Sequence, residues 1–179
     1  MSLLPVFVGI DMVYCGVDPG LISGAVAAID QHGNYIQAFF IEHQDKRILP
    51  IVFKNSLLKV IDPKEGAEIA IENVHSMPGQ GIASTARFMR AVGVIEAVCE
   101  LTRYPVHFIA PQTWKRYWHL TSNKDESLDV ARMIWPEAPL KRKKDHGVAE
   151  ALLIADYWRQ VHQGVKRENS PIPNQINPI

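Results

Sequence analysis

The sequence predicts a mixed α/β domain on one central sheet, with three antiparallel strands first and helices flanking the sheet. Two observations carry this reading. Three short apolar runs separated by turn residues come first, and after residue 49 helical periodicity alternates with further short apolar runs. That order, strands in a meander and then helix, strand, helix, strand and helices, fits one sheet covered by helices.

Val13 to Asp18 is the first strand and ends where Pro19-Gly20 forces a turn. Ala25 to Ile29 is the second. The cluster Gln31-His32-Gly33-Asn34 turns the chain into a third strand, Tyr35 to Ile41. From Leu49 to Val60, the positions Leu49, Val52, Phe53, Leu57 and Val60 recur at helical spacing, and Pro63 stops that helix. Glu68 to Val74 is a strand whose run Ile69-Ala70-Ile71 implies burial on both faces. The glycine-bearing loop Met77-Pro78-Gly79-Gln80-Gly81 leads into a helix from Ala83 to Thr102 with a stripe of Met89, Val92, Ile95 and Val98. Val106 to Ala110 is a fifth strand, closed by Pro111. Helices follow around Trp114–Trp118, from Asp125 to Ile134 and from His146 to Val161. Residues 1–12 read as an extension, 13–163 as the domain and 164–179 as a polar, proline-bearing tail without regular structure.

The 179 residues are 47% apolar and 21% charged, which is globular composition and enough chain for a core without metal or disulfide staples. No apolar run nears the ~20 residues of a membrane span. The stretch from Leu3 to Ile10 lacks a basic lead-in and carries Pro5, so neither a signal nor an anchor is expected. Cys15 and Cys99 have no metal or redox spacing, and a reducing cytoplasm is the expected compartment. Net charge is zero but uneven: residues 1–102 hold seven Lys/Arg against eleven Asp/Glu, and residues 103–147 hold nine against five. Neutrality argues against indiscriminate polyanion binding. Neither G-x-x-x-x-G-K-[ST] nor G-x-G-x-x-G is present, so the usual nucleotide cradles are excluded.

Three acidic positions stand out. Asp18 ends the first strand; an aspartate before Pro-Gly can also be a plain turn residue. Glu72 lies in the most apolar strand, where a carboxylate is costly unless paired or bound to a cation. At the start of the last helix stand Asp145, His146 and Glu150; His146 and Glu150 share a face, and Asp145 can alternatively serve as an N-cap. Carboxylates on adjacent strands plus ligands on a helix make an oxygen-rich site suited to Mg²⁺ or Mn²⁺, able to hold two ions for phosphodiester chemistry.

Gly16-Val17-Asp18-Pro19-Gly20 with Ser23-Gly24, then Ile69-Ala70-Ile71-Glu72-Asn73-Val74, then Ala149-Glu150-Ala151-Leu152-Leu153-Ile154-Ala155 resemble the three acidic motifs of RuvC-like Holliday-junction resolvases, in order from Val13 to Ala155. The Met-Pro-Gly-Gln-Gly loop and Asp145-His146-Gly147 look closest to phage and prophage members. The resemblance implies an RNase H-like fold, a homodimer, and metal-dependent cutting of four-way DNA junctions by paired nicks leaving 5′-phosphate and 3′-hydroxyl ends. It implies Asp18, Glu72 and Glu150 as catalytic ligands of Mg²⁺ or Mn²⁺. The family's last motif usually has two aspartates three apart; here Gly147 stands three before Glu150, so His146 is the substitute ligand or general base, with Asp145 its rival. His75, three after Glu72, stands where the family often has an aromatic residue that probes the junction, and an imidazole can stack.

Lys141-Arg142-Lys143-Lys144 reads as a solvated run or as a phosphate track beside the acids. Lys115 and Lys124 fall where the resemblance places DNA-contacting cations. Within Trp114-Lys115-Arg116-Tyr117-Trp118 the bland reading is a helix burying its tryptophans, and Arg87 and Arg90 face either solvent or DNA with Phe88 in the core. Alternatives to a resolvase are another RNase H-like flap or branched-DNA nuclease, an actin-like ATPase (for which the chain is too short) and a junction-binding protein without chemistry.

Overall fold

The computed structural model describes residues 12–61, 66–75, 79 and 81–164. Five strands, β1 Met12–Asp18, β2 Ala25–Ile29, β3 Tyr35–Phe40, β4 Gly66–Glu72 and β5 Val106–Ile109, form one sheet in the order β3-β2-β1-β4-β5. The first three are antiparallel neighbours, while β1–β4 and β4–β5 pair in parallel. The meander and the leading antiparallel strands stand as the sequence predicts, in an RNase H-like arrangement. Helices α1 Pro50–Val60 and α2 Ile82–Glu100 cover one face; α3 Pro111–Tyr117, α4 Lys124–Ile134 and α5 His146–His162 cover the other.

Strand alternation sorts the core into these two layers. Val13, Cys15 and Val17 of β1, with Ile69 and Ile71 of β4, pack against Phe53, Leu57, Ile95 and Val98. Burial pushes the Cys99 thiol in this layer up to about 12, so it stays protonated and inert. On the opposite face Tyr14, Ala27, Ile29 and Ala70 meet Leu152, Leu153 and the three tryptophans Trp114, Trp118 and Trp135. Gly16 lets α5 lie directly on β1: a Cβ there would stand 1.9 Å from the Ala151 carbonyl oxygen and 2.7 Å from the Ala155 nitrogen. This close approach brings the N-terminal half of α5 beside the C-terminal ends of β1 and β4.

Several boundaries move, for local reasons. The strand expected over Glu68–Val74 runs instead over Gly66–Glu72; β5 ends at Ile109, whose carbonyl accepts from Asn73 N–H at 2.8 Å, and no further rung follows. The short third helix starts at Pro111 rather than Trp114, because proline at the first helical position has no N–H to leave unpaired. In α2, Met89 does not belong to the buried stripe. The buried set is Ala91, Val92, Ile95, Val98 and Cys99, Phe88 is only half-buried, and Ile82 is exposed. The core thus takes up only the C-terminal half of that helix. Met12, expected in the N-terminal extension, pairs with Gly66 as the first residue of β1. Residues 1–11, Pro63, most of the 77–81 loop and 165–179 lie outside the described residues.

Candidate nuclease site

Asp18 and Glu72 are the last residues of two parallel neighbours, one step beyond the Val17–Ile71 pair. Their side chains share the α5 face. Glu150, one turn into α5, completes a group of three carboxylates drawn from β1, β4 and α5, and all three are buried. Burial, then the negative charges of Glu150 and Glu72, push the Asp18 carboxyl well above the ordinary carboxylate range. Glu72 is raised by burial and by Glu150, against the opposing pull of the Trp114 hydrogen bond and of Lys115 and Lys124. Three acids therefore repel one another at one end of the sheet, a state that a cation relieves.

The expected cations face them. Lys115 Nζ stands 3.6 Å from Glu150 Oε1 and lies over the Trp114 ring. Lys124, at the start of α4 behind the Asn123 N-cap, has its Nζ 3.1 Å from His146 Nε2. His146 Nδ1 is 3.1 Å from the Lys144 carbonyl oxygen, which assigns the proton to Nδ1 and leaves Nε2 as an acceptor for the ammonium. Burial and then the Lys124 charge lower the His146 pKa, outweighing Glu150, Asp125 and Asp145, so the ring is neutral near pH 7.

The remaining sequence-predicted residues sort differently. Asp145 is buried, and both its oxygens are taken by Arg142: Oδ2 accepts the Arg142 backbone N–H at 2.7 Å, and Oδ1 accepts Nη2 at 2.8 Å and Nε at 3.0 Å. Its side chain does not cap α5; it fixes the 3-10 turn Lys143–Asp145 that leads into that helix. Lys141, Arg142, Lys143 and Lys144 are all exposed, and the Lys143 ammonium reaches Asp125 only at 3.8 Å. His75 is exposed, three residues past the end of β4. Arg87 and Arg90 are also exposed.

Gly147 has a steric reason to be glycine. A Cβ there would stand 2.1 Å from the Ser23 carbonyl oxygen and 3.3 Å from Asp18 Oδ2, so the position bears no side-chain ligand and the helix approaches Asp18 through its backbone. The site residue that sequence reasoning passed over is Trp114. It is buried as expected, but its indole N–H donates to Glu72 Oε1 at 3.0 Å. The two residues are 42 apart in sequence, and the helical stripe signalled only burial.

Among the described residues no three His, Cys, Asp or Glu side chains are placed together so that they could hold a metal ion as they stand. The residue types nonetheless suit a hard divalent cation: Asp18 and Glu72, both raised by burial and by neighbouring carboxylates, stand with Glu150 and with a neutral imidazole whose acceptor nitrogen faces Lys124.

No family model and no curated protein matches the chain. Solved structures do. Thermus thermophilus RuvC in complex with a Holliday junction substrate superposes with a TM-score of 0.63 at 18% identity, over 86% of this chain and 97% of that one. A second Thermus thermophilus RuvC structure gives 0.60 at 17% identity over the same shares. Among the described residues no helix is long and apolar enough to cross a membrane. At this identity the likeness establishes the fold: the chain carries the RNase H-like architecture of RuvC.

Proposed function

We propose that this protein is a metal-dependent endonuclease of branched DNA that resolves four-way junctions, as a phage-type RuvC-like resolvase acting in the bacterial cytoplasm. The observation that carries the reading is the meeting of Asp18, Glu72 and Glu150, all buried, at the sheet end reached by an exposed basic run. The structural neighbour solved with a Holliday junction supports the choice of substrate.

Asp18, Glu72 and Glu150 would hold Mg²⁺ or Mn²⁺, as two ions per site. Bound there, such ions supply a lowered water pKa and stabilisation of the leaving 3′-oxygen. Neutral His146, fixed through Nδ1 on the Lys144 carbonyl, offers Nε2 to orient the attacking water and accept its proton. Water adds to phosphorus, the P–O3′ bond breaks, and the proton ends on the 3′-oxygen, giving 5′-phosphate and 3′-hydroxyl ends. Lys115 and Lys124 balance the charge of the site and meet the scissile phosphate. Lys141, Arg142, Lys143 and Lys144 track the backbone as it approaches. Asp145 acts through Arg142 by shaping that basic turn and is not a ligand. His75 stacks on a base at the crossover. Paired symmetric nicks require two copies related by a two-fold axis, so the working form is a homodimer.

The test is cleavage of a synthetic four-way junction, beside fork and flap substrates, in Mg²⁺ and in Mn²⁺. Wild type should place symmetric nicks in the junction, and Glu72→Gln should lose at least ~10³-fold in rate while still binding it. Preference for flaps would make it a different branched-DNA nuclease. Tight binding with no nicks in either metal would leave a junction-binding protein without chemistry.

A further inference from the structure

Helix α3 touches the acidic site through two consecutive residues and is anchored elsewhere through a third. Trp114 donates its indole N–H to Glu72 Oε1, and Lys115 reaches Glu150 Oε1. One turn on, Trp118 donates its indole N–H to the Leu153 carbonyl at 3.0 Å and so fastens α3 to α5. Both indoles are fully buried, so neither ring can leave without opening the core. Beyond that bond, Glu72 feels the repulsion of Glu150, which the charges of Lys115 and Lys124 only partly offset. A buried carboxylate with that neighbour has reason to rotate away when no cation is present. The indole bond opposes this by engaging Oε1, and not Oε2, at fixed depth.

We infer that Trp114 is a positioning residue for the metal site: its indole N–H holds the Glu72 carboxylate in the rotamer that presents Oε2 to a divalent cation. The inference rests on the metal-dependent nuclease reading above. Its signature is a change in cation affinity that a merely structural tryptophan would not produce. Groups that orient a ligating carboxylate typically change metal affinity by about 10–100-fold when removed.

The experiment compares Trp114→Phe with Trp118→Phe. Each removes an indole from the same short helix, one bonded to the acid and the other to a backbone carbonyl. Mn²⁺ alone is titrated calorimetrically into the DNA-free protein, and junction cutting is followed against Mn²⁺ concentration. Trp114→Phe should weaken Mn²⁺ binding about tenfold. It should raise the half-saturating Mn²⁺ for cutting by the same factor, with most of the maximal rate recovered at saturation. Trp118→Phe should lower the melting temperature but leave the Mn²⁺ isotherm within about twofold, since that indole has no contact with a ligand. If Trp114→Phe does not fold, the benzothiophene isostere at position 114 exchanges N–H for sulfur at nearly equal volume and carries the same comparison. An isotherm for Trp114→Phe or the isostere that matches wild type, or that shifts no further than that of Trp118→Phe, overturns the inference. Mn²⁺ binding that shifts as expected in a wild type unable to cut any branched DNA would sink the nuclease reading and leave the positioning role standing. Absence of Mn²⁺ binding by wild type would sink both.

Discussion

Glu68 and Glu72 stand four residues apart on β4, point to the same face of the sheet, and are equally buried at 7% exposure. Each also accepts an indole N–H, from Trp158 at 2.5 Å for Glu68 and from Trp114 at 3.0 Å for Glu72. What differs is the rest of the surroundings. Glu68 is enclosed by imidazoles: His162 Nδ1 lies 2.9 Å from Oε1, and His107 Nε2 lies 3.1 Å from Oε2, out of line for a hydrogen bond. His107 also stacks on Trp158 at 3.9 Å. Glu72 is enclosed by acids, with Glu150 and Asp18 as neighbours and two lysines reaching in from the rim. The same residue type at the same depth meets imidazoles at one end of the strand and carboxylates at the other. Unmet charge, rather than burial, separates the two.

The largest way to test that contrast is stability at the Glu68 end. Glu68→Ala removes the acceptor of a half-buried indole N–H and leaves the buried His107 Nε2 beside a void. The imidazoles themselves are part-exposed, His162 at 45% and His107 at 29%, so water stands in for much of what they lose and most of the cost comes from the orphaned indole donor. A loss of about 2–3 kcal/mol is expected, read as a fall of roughly 6–8 °C in melting temperature for a domain of this size. Cleavage at a temperature well below melting should stay within about threefold of wild type, because Glu68 touches nothing at the acidic end. A thousandfold loss there would show the two clusters to be one.

Glu72→Gln should do the opposite. Its amide oxygen can still accept the Trp114 N–H, while a charge repelled by Glu150 and Asp18 disappears. In EDTA the variant should be more stable than wild type by about 1 kcal/mol, the usual sign for substitutions that relieve strain built into a functional site. Thermal unfolding with and without EDTA checks this, and a destabilised Glu72→Gln would mean that the acids do not repel as described.

The strand pattern made most of this visible in advance. The order of elements, the double burial of β4 and the costly position of Glu72 all follow from apolar runs and turns, because strand alternation and proline placement are local in sequence. Asp18 was legible for the same reason, at the end of an otherwise apolar strand, and Glu150 because it shares a helical face with His146 within a motif-like run. The missing pieces are long-range. Nothing near Trp114 reveals that its indole meets a carboxylate 42 residues away. Nothing near Gly147 reveals that the Ser23 carbonyl fills the space a side chain would need. Asp145 reads equally as a ligand or a cap from its neighbours, and only the folded turn shows Arg142 occupying both its oxygens. The exposed first half of α2 is a similar case: periodicity put Met89 on the buried stripe, and the extent of the core beneath the helix decided otherwise.

The smallest expected effect sharpens the comparison most. His162 sits in the last turn of α5, where its ring meets Tyr14 and Trp158 edge-on at 5.9 and 6.4 Å. Replacing it in His162→Gln leaves Trp158 donating to Glu68 and His107 in place, and it deletes a contact with Glu68 Oε1 that water already competes for. The cost should be under ~1 kcal/mol, a shift of no more than about 3 °C in thermal unfolding. A loss as large as that of Glu68→Ala would mean that the Glu68 cluster stands or falls as a unit, each bond polarising the next. The contrast along β4 would then lie between a cooperative network and a set of separately held acids, and the Glu68–His162 double variant would show it by costing no more than either change alone.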